Sequence, residues 1–116
     1  MKKGPEAQTQ AAIMDYLAAR RVLAFRMNSG AVVSEYKGRT RMIRYGTKGM
    51  ADVLAFPEKK LVIGGWTTTV IMPVWIEVKA AKGRTTPEQD AFAEMVIAQG
   101  HHYIVARSIE DVESHL

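Results

Sequence analysis

Residues 74–79, Val-Trp-Ile-Glu-Val-Lys, alternate in a manner typical of a β-strand that is buried on one face. Successive side chains of a strand point to opposite sides. One side of the run is therefore wholly aliphatic, whereas the other carries Trp75, Glu77 and Lys79. A carboxylate and an ammonium group then project together, about 7 Å apart along the strand. The run predicts a core strand that presents a charged pair.

A second carboxylate, Asp52, stands between a glycine-containing loop and the apolar residues 53–56. An acid at the start of such a run needs a partner or a function, because a buried unpaired carboxylate is costly. Mg²⁺ takes oxygen ligands, commonly one or two carboxylates together with waters and phosphate oxygens. Asp52 and Glu77 are therefore candidate metal ligands. The alternative is that Glu77 and Lys79 are an ordinary charged pair on the solvated face of a strand. The tripeptide Glu-Val-Lys at residues 77–79, taken alone, favours this alternative.

Glycine and proline, together with apolar periodicity, divide the chain into short elements. Helices are predicted at residues 5–21, at residues 86–99 and after Ser108. Pro73 is expected to make the first half of one strand irregular or to place it on an edge. The predicted strands are residues 22–28, 31–36, 40–45, 52–56, 61–63, 70–80 and 102–106.

The order helix, strands, helix, strand, helix predicts an α/β fold with a mixed central sheet flanked by helices. Residues 31–36 and 40–45, joined through Lys37-Gly38-Arg39, add a basic β-hairpin. A chain of 116 residues with 47% hydrophobic residues is enough for one domain, residues 1–116, with its own core.

Several segments of the chain together carry a family resemblance. In order, they are residues 6–13, 49–52, 77–79, 82–89 and 100–108. With these segments the chain resembles the VRR-NUC family of the PD-(D/E)xK nuclease superfamily. It departs from the family at Ala51, where the superfamily usually has proline. It also departs at Ala106, which replaces the first arginine of the Val-Arg-Arg signature.

The resemblance implies a restriction-endonuclease-like core and a Mg²⁺-dependent nuclease, for which Mn²⁺ is a substitute. It implies that Asp52, Glu77 and the backbone carbonyl of Val78 hold the metal. Lys79 would then orient the attacking water and stabilise developing negative charge.

Two further residues match site positions of the family and also have simpler explanations. Glu6 matches an acidic position that helps to hold the metal or its waters, although any helix N-terminus favours negative charge. Gln89 matches a position often treated as part of the catalytic site. A capping box with Thr86 explains Gln89 equally well.

Charge is unevenly distributed along the chain. Lys and Arg far outnumber acids between residues 20 and 84, whereas residues 88–116 contain one Arg and no Lys. A basic body orients a polyanion, although a solvated mixed surface is the alternative. Phosphate contacts position a duplex without reading its sequence. The candidates for such DNA contacts are Lys37, Arg39, Arg41, Arg44, Lys48, Lys82 and Arg84.

The function expected from these features is that of a structure-specific DNA endonuclease similar to a Holliday-junction resolvase. Stand-alone members of the family look like homodimers that act on four-way junctions, and a two-fold dimer matches the symmetry of the junction. Apolar residues of the hairpin (Val32, Val33, Met42 and Ile43) or residues 66–72 could supply the dimer surface. The alternatives are a non-catalytic structure-specific DNA-binding module and a flap or restriction-type nuclease with the same chemistry.

Composition indicates a cytoplasmic protein, located in the host cytoplasm if its source is viral. There are no cysteines, no apolar run approaches the ~20 residues that cross a bilayer, and residues 1–6 lack the apolar core of a signal peptide. His101 and His102 have no third ligand at metal spacing. They are predicted to be structural or surface residues.

Overall fold

The computed structural model of the chain describes residues 4–27, 30–45 and 47–116. Within these residues the helices are α1 (Pro5–Ala19), α2 (Pro87–Ala98) and α3 (Ile109–Glu113). The strands are β1 (Leu23–Arg26), β2 (Gly30–Tyr36), β3 (Arg39–Tyr45), β4 (Val53–Phe56), β5 (Glu58–Ile63), β6 (Trp66–Ile71), β7 (Val74–Val78) and β8 (His102–Ala106).

The central sheet has four strands in the order β1-β4-β7-β8. β4 pairs antiparallel with both β1 and β7, whereas β7 and β8 run parallel. A parallel pair needs a crossover connection, and α2 lies in that connection between β7 and β8. The prediction of an α/β fold with a mixed central sheet is confirmed.

The two faces of the sheet pack against different helices. Ile76 and Val78 of β7 belong to a core cluster with Leu17 of α1 and Val112 of α3. On the opposite face, Trp75 packs with Phe92 and Val96 of α2. Alternation along β7 therefore works as predicted, and the face that carries Glu77 is the one that α2 covers.

Helix ends follow the capping signals. The Thr86 hydroxyl accepts a hydrogen bond from the Gln89 nitrogen at 3.2 Å, and Gln89 Oε1 accepts one from the Thr86 nitrogen at 2.9 Å. This pair is the predicted capping box, with Pro87 in the first turn. α1 ends at Ala19, two residues before the predicted end. None of the helices in the described ranges is both long and apolar enough to span a bilayer.

Outside the central sheet, β2 and β3 form the predicted hairpin, with Tyr36 opposite Arg39. Lys37 and Gly38 have φ angles of 49° and 74°, the positive values of a two-residue hairpin turn. The side chains of residues 30–36 and 40–46 lie outside the described part of the chain. The proposed contacts of Arg41 and Arg44 are among them, so they stay predictions.

The strand predicted at residues 70–80 is not continuous, and the irregularity that Pro73 predicts in its first half is confirmed. β6 ends at Ile71 and β7 begins at Val74, with Pro73 between them. β7 has a neighbour on each side, so every ladder position along it needs a backbone N–H, which proline lacks. β6 instead pairs with β5 as a separate two-stranded ribbon around the predicted turn at Gly64-Gly65. The strand predicted at residues 61–63 is the last half of β5.

Candidate active site

Asp52 lies where the chain enters β4, directly beside the end of β7. The last register pair between these strands is Val53 with Ile76, so Asp52 and Glu77 follow on from that pair. Asp52 Oδ2 accepts a hydrogen bond from the Val78 nitrogen at 2.8 Å. This bond fixes one carboxylate oxygen against the strand that carries the other carboxylate. Two predicted site residues that are far apart in sequence are thus brought together.

The Glu77 side chain is only 1% exposed. Neither of its carboxylate oxygens has a hydrogen-bond partner among the described residues. Burial, together with the negative charge of the nearby Asp52 carboxyl, raises the pKa of Glu77 to about 9. An anion here is poorly stabilised by the protein itself. A cation between the two carboxyl groups would supply the missing stabilisation.

Lys79 follows β7 directly and is 7% exposed. Its backbone nitrogen donates to the Ala106 carbonyl at 3.0 Å, which holds this residue against β8. The ammonium group is close enough for its charge to oppose the rise in the pKa of Glu77. Because Glu77 and Lys79 are both buried, the alternative of a pair on a solvated strand is wrong.

The available donors fit a hard divalent cation. Asp52 and Glu77 supply carboxylate oxygens, which Mg²⁺ prefers, and the buried oxygens of Glu77 need a partner. The described residues contain no group of three or more His, Cys, Asp or Glu side chains that could hold a metal. The backbone carbonyl of Val78, the predicted third ligand, would add an oxygen of the kind that Mg²⁺ takes.

Glu6 is exposed in the first turn of α1. Its charge is the weakest of the causes that act on the pKa of Glu77, so it lies within electrostatic reach of the site. Its role as a ligand stays a prediction. For Gln89 the capping interpretation is confirmed, because its side-chain oxygen binds the Thr86 nitrogen. A catalytic role for Gln89 also stays a prediction.

The glycine loop before Asp52 packs on the start of α2. Gly49 has a φ of 81°, and a Cβ added there would overlap the Glu88 carbonyl and come within 2.9 Å of the Gln89 nitrogen. Next to it, Lys48 Nζ lies 3.4 Å from Glu88 Oε1. This ion pair is exposed and therefore weak, so Lys48 remains accessible for its predicted contact with DNA.

Arg107 is a site-forming residue that the sequence interpretation did not single out. Its Nη1 donates to the Ala80 carbonyl at 2.8 Å and to the Gly83 carbonyl at 2.6 Å. It thereby holds the loop that follows Lys79 and carries the exposed Lys82 and Arg84. A possible signal was its position directly after β8, inside the segment that resembles the family signature.

Trp75 and His101 form a second contact that was missed. Trp75 Nε1 donates to His101 Nδ1 at 3.0 Å, and the two rings stack. The structural interpretation of His101 is thus confirmed. His102 is exposed at the start of β8, in agreement with a surface residue.

At the far end of the β2–β3 hairpin, Lys37 and Arg39 are exposed. They are the two predicted DNA contacts of the hairpin whose side chains the structure describes.

Comparisons with protein-family models, with curated proteins and with solved structures found no match to this chain. A function must therefore be inferred from the side chains around Asp52 and Glu77.

Proposed function

We propose that the protein is a Mg²⁺-dependent endonuclease with a restriction-endonuclease-like core that hydrolyses DNA phosphodiester bonds. The observation that carries the proposal is the junction of β4 and β7. There the Asp52 carboxylate is tied to the Val78 nitrogen at 2.8 Å, next to the buried oxygens of Glu77 and the buried Lys79. The mixed four-stranded sheet with helices on both faces is consistent with that core.

Each residue of the site has a separate task in this proposal. Asp52, Glu77 and the carbonyl of Val78 would hold Mg²⁺ or Mn²⁺. The bound metal would lower the pKa of a water and neutralise charge on the phosphoryl oxygens. Lys79 donates hydrogen bonds that orient the attacking water and stabilise the negative charge that develops on the phosphate. The burial of Glu77 keeps bulk water away from its carboxyl group, which strengthens these interactions.

The proposed substrate is branched DNA, with a four-way junction as the first choice. Lys82 and Arg84 are exposed on the loop directly after Lys79, where they can bind the phosphates that flank a scissile bond. Lys37 and Arg39 at the hairpin tip offer a second set of cations. Such contacts position a backbone without reading bases, which favours recognition of DNA shape.

The proposal includes a two-fold dimer formed through the β5–β6 ribbon. One face of the ribbon carries Leu61, Ile63 and Trp66, and Trp66 is 80% exposed. A two-stranded ribbon is marginal alone, so this face needs a partner. Residues 61–76 contain no charge, so two copies of a basic chain can meet there without repulsion, whereas DNA would find no cation. The hairpin alternative (Val32, Val33, Met42 and Ile43) lies outside the described side chains.

Cleavage of a four-way junction, a 5′ flap and plain duplex by purified protein in Mg²⁺ or Mn²⁺ tests the activity. Wild type should nick the junction, whereas Asp52→Ala and Lys79→Ala should lose at least about a hundredfold in rate. Glu58→Ala and Lys60→Ala on the other face of β5 are matched controls, since they remove the same charges away from the site. If Asp52→Ala and Lys79→Ala cleave like wild type, the assigned site is wrong.

A non-catalytic DNA-binding module is the second candidate. It is favoured by the absence, within the described residues, of a third acidic or histidine ligand beside Asp52 and Glu77. Calorimetry with Mn²⁺ separates the two candidates. The nuclease binds Mn²⁺ and loses this binding in Asp52→Ala, whereas the binding module has no reason to bind the ion.

A further inference from the structure

Tyr103 lies on the same face of the sheet as Glu77. In the parallel pairing of β7 and β8, Trp75 is opposite Tyr103 and Glu77 is opposite Val105. Paired residues of neighbouring strands share a face, so Tyr103 is the diagonal neighbour of Glu77. The Tyr103 ring also lies 6.5 Å from the ring of Phe92, centroid to centroid. α2 therefore packs on the tyrosine, on the same face of the sheet that carries the glutamate.

The hydroxyl of Tyr103 is buried and has no hydrogen-bond partner in the part of the chain that the structure describes. Among the same described residues, both carboxylate oxygens of Glu77 are buried without a partner. Buried polar groups in folded proteins are nearly always hydrogen-bonded, either to other protein groups or to ordered water. A phenol is a donor and a carboxylate is an acceptor. The two groups are thus chemically complementary.

The electrostatics of the two groups agrees with the proximity that the strand register gives them. After burial, the charge of Glu77 is the largest cause that raises the pKa of Tyr103 to about 12. These two described groups make no direct hydrogen bond, and buried waters commonly bridge polar groups that otherwise lack a partner.

We propose that Tyr103 is a positioning residue for Glu77. Its hydroxyl donates through one bridging water to the Glu77 carboxylate and fixes the carboxylate oxygens in the orientation that binds the divalent cation. The inference rests on the proposed function, because it assigns Glu77 the role of metal ligand. Removing a group that orients a metal ligand in this way typically weakens metal affinity by about 10–100-fold.

Calorimetry with Mn²⁺ alone tests the proposal on wild type, Tyr103→Phe and Tyr16→Phe. Tyr103→Phe should bind Mn²⁺ about tenfold more weakly. Tyr16→Phe is the matched control, because the Tyr16 hydroxyl accepts a hydrogen bond at 2.6 Å from Arg20, the residue directly after α1. Its loss should leave Mn²⁺ affinity unchanged. A Tyr103→Phe variant with wild-type affinity overturns the inference and leaves the proposed nuclease standing. A wild type that binds no Mn²⁺ overturns both.

A double-mutant cycle without metal separates positioning from packing. The shift in urea midpoint caused by Tyr103→Phe should differ between the wild-type background and the Glu77→Gln background, because the two side chains are linked. Additive shifts would mean that the hydroxyl does not act through Glu77, and they would overturn the inference. Both variants keep the volume of the original side chain, so the fold should be retained.

Discussion

Gly49 lies so close to the carbonyl of Glu88 that a Cβ at position 49 would overlap it. This contact joins the loop before Asp52 to the first turn of α2, and it also depends on a φ of 81° that favours glycine. The glycine therefore acts twice, through its backbone conformation and through its small size. Because Asp52 follows three residues later, the contact helps to set the position of the carboxylate.

A strained backbone alone costs about 1–3 kcal/mol. Gly49→Ala should destabilise the protein by more than this amount, because the added Cβ also overlaps the Glu88 carbonyl. Gly100→Ala is the matched control, because Gly100 has a φ of 84° but no described atom within 4 Å of an added Cβ. Urea unfolding of the two variants separates the overlap from the strain. Equal losses in the two variants would mean that the loop moves freely away from α2.

Glu77 should make the stability of the metal-free protein depend on pH. Folding raises the pKa of Glu77 from 4.5 to about 9. The favourable effect of this carboxyl group on stability is therefore complete at pH values below its pKa in the unfolded chain. This effect is lost as pH rises through the pKa that Glu77 has in the folded protein. The urea midpoint of wild type should therefore fall between about pH 5 and pH 9, relative to Glu77→Gln. Glu58→Gln, which alters an exposed carboxylate, should retain the wild-type slope.

The same ionisation predicts how Mn²⁺ acts. Metal binding needs the deprotonated carboxylate, so apparent affinity should rise with pH over the same range. Mn²⁺ should accordingly stabilise wild type more at about pH 9 than at about pH 6. Equal stabilisation at both pH values would show that Glu77 does not bind the ion as a carboxylate.

Much of the sheet and part of the site could be predicted from local pattern. The alternation in residues 74–79 and the capping box at Thr86 are encoded within a few residues, and both were predicted correctly. β6 was missed because Trp66–Ile71 contains three threonines and no alternation of polar and apolar residues. Its pairing with β5, rather than the central sheet, determines its structure.

The parts of the site that could not be predicted depend on long-range register. Arg107 binds the carbonyl of Ala80, 27 residues earlier, and nothing near residue 107 indicates this partner. Tyr103 lies beside Glu77 only because β7 and β8 pair in one particular parallel register. Burial of Lys79 likewise depends on its neighbours in space. Sequence pattern singled out Asp52, Glu77 and Lys79 as candidates, but not Arg107 or Tyr103.

Arg107 should control the order of the loop that follows Lys79. Arg107→Met removes both hydrogen bonds to this loop and should cost about 1 kcal/mol. The Gly83 amide, which donates to the Ala80 carbonyl at 2.9 Å, should exchange with deuterium faster. Arg107→Lys keeps the charge but loses the planar guanidinium, so it should also increase exchange. An unchanged Gly83 exchange rate in Arg107→Met would argue against the clamp.

Lys82 and Arg84 should contribute to DNA affinity mainly through phosphate contacts. Each contact that is lost should reduce the slope of log affinity against log salt by about 0.9. Fluorescence anisotropy of a four-way junction over a salt series, without Mg²⁺, gives that slope for Lys82→Ala/Arg84→Ala. Lys59→Ala/Lys60→Ala on the ribbon is the control with the same change in net charge. Identical slopes for the two double variants would exclude a specific contact at the loop.

Trp66 should determine whether two copies of the chain associate. It shares a ribbon face with Ile63, which is 63% exposed, whereas Thr67 points to the opposite face. Trp66→Lys places a charge in the proposed apolar interface and should give a monomer by light scattering, whereas Thr67→Lys should remain dimeric. The monomer should also lose paired nicking of a four-way junction, because the two active sites are no longer held together. A Trp66→Lys variant that still forms the wild-type dimer would exclude the ribbon as the interface.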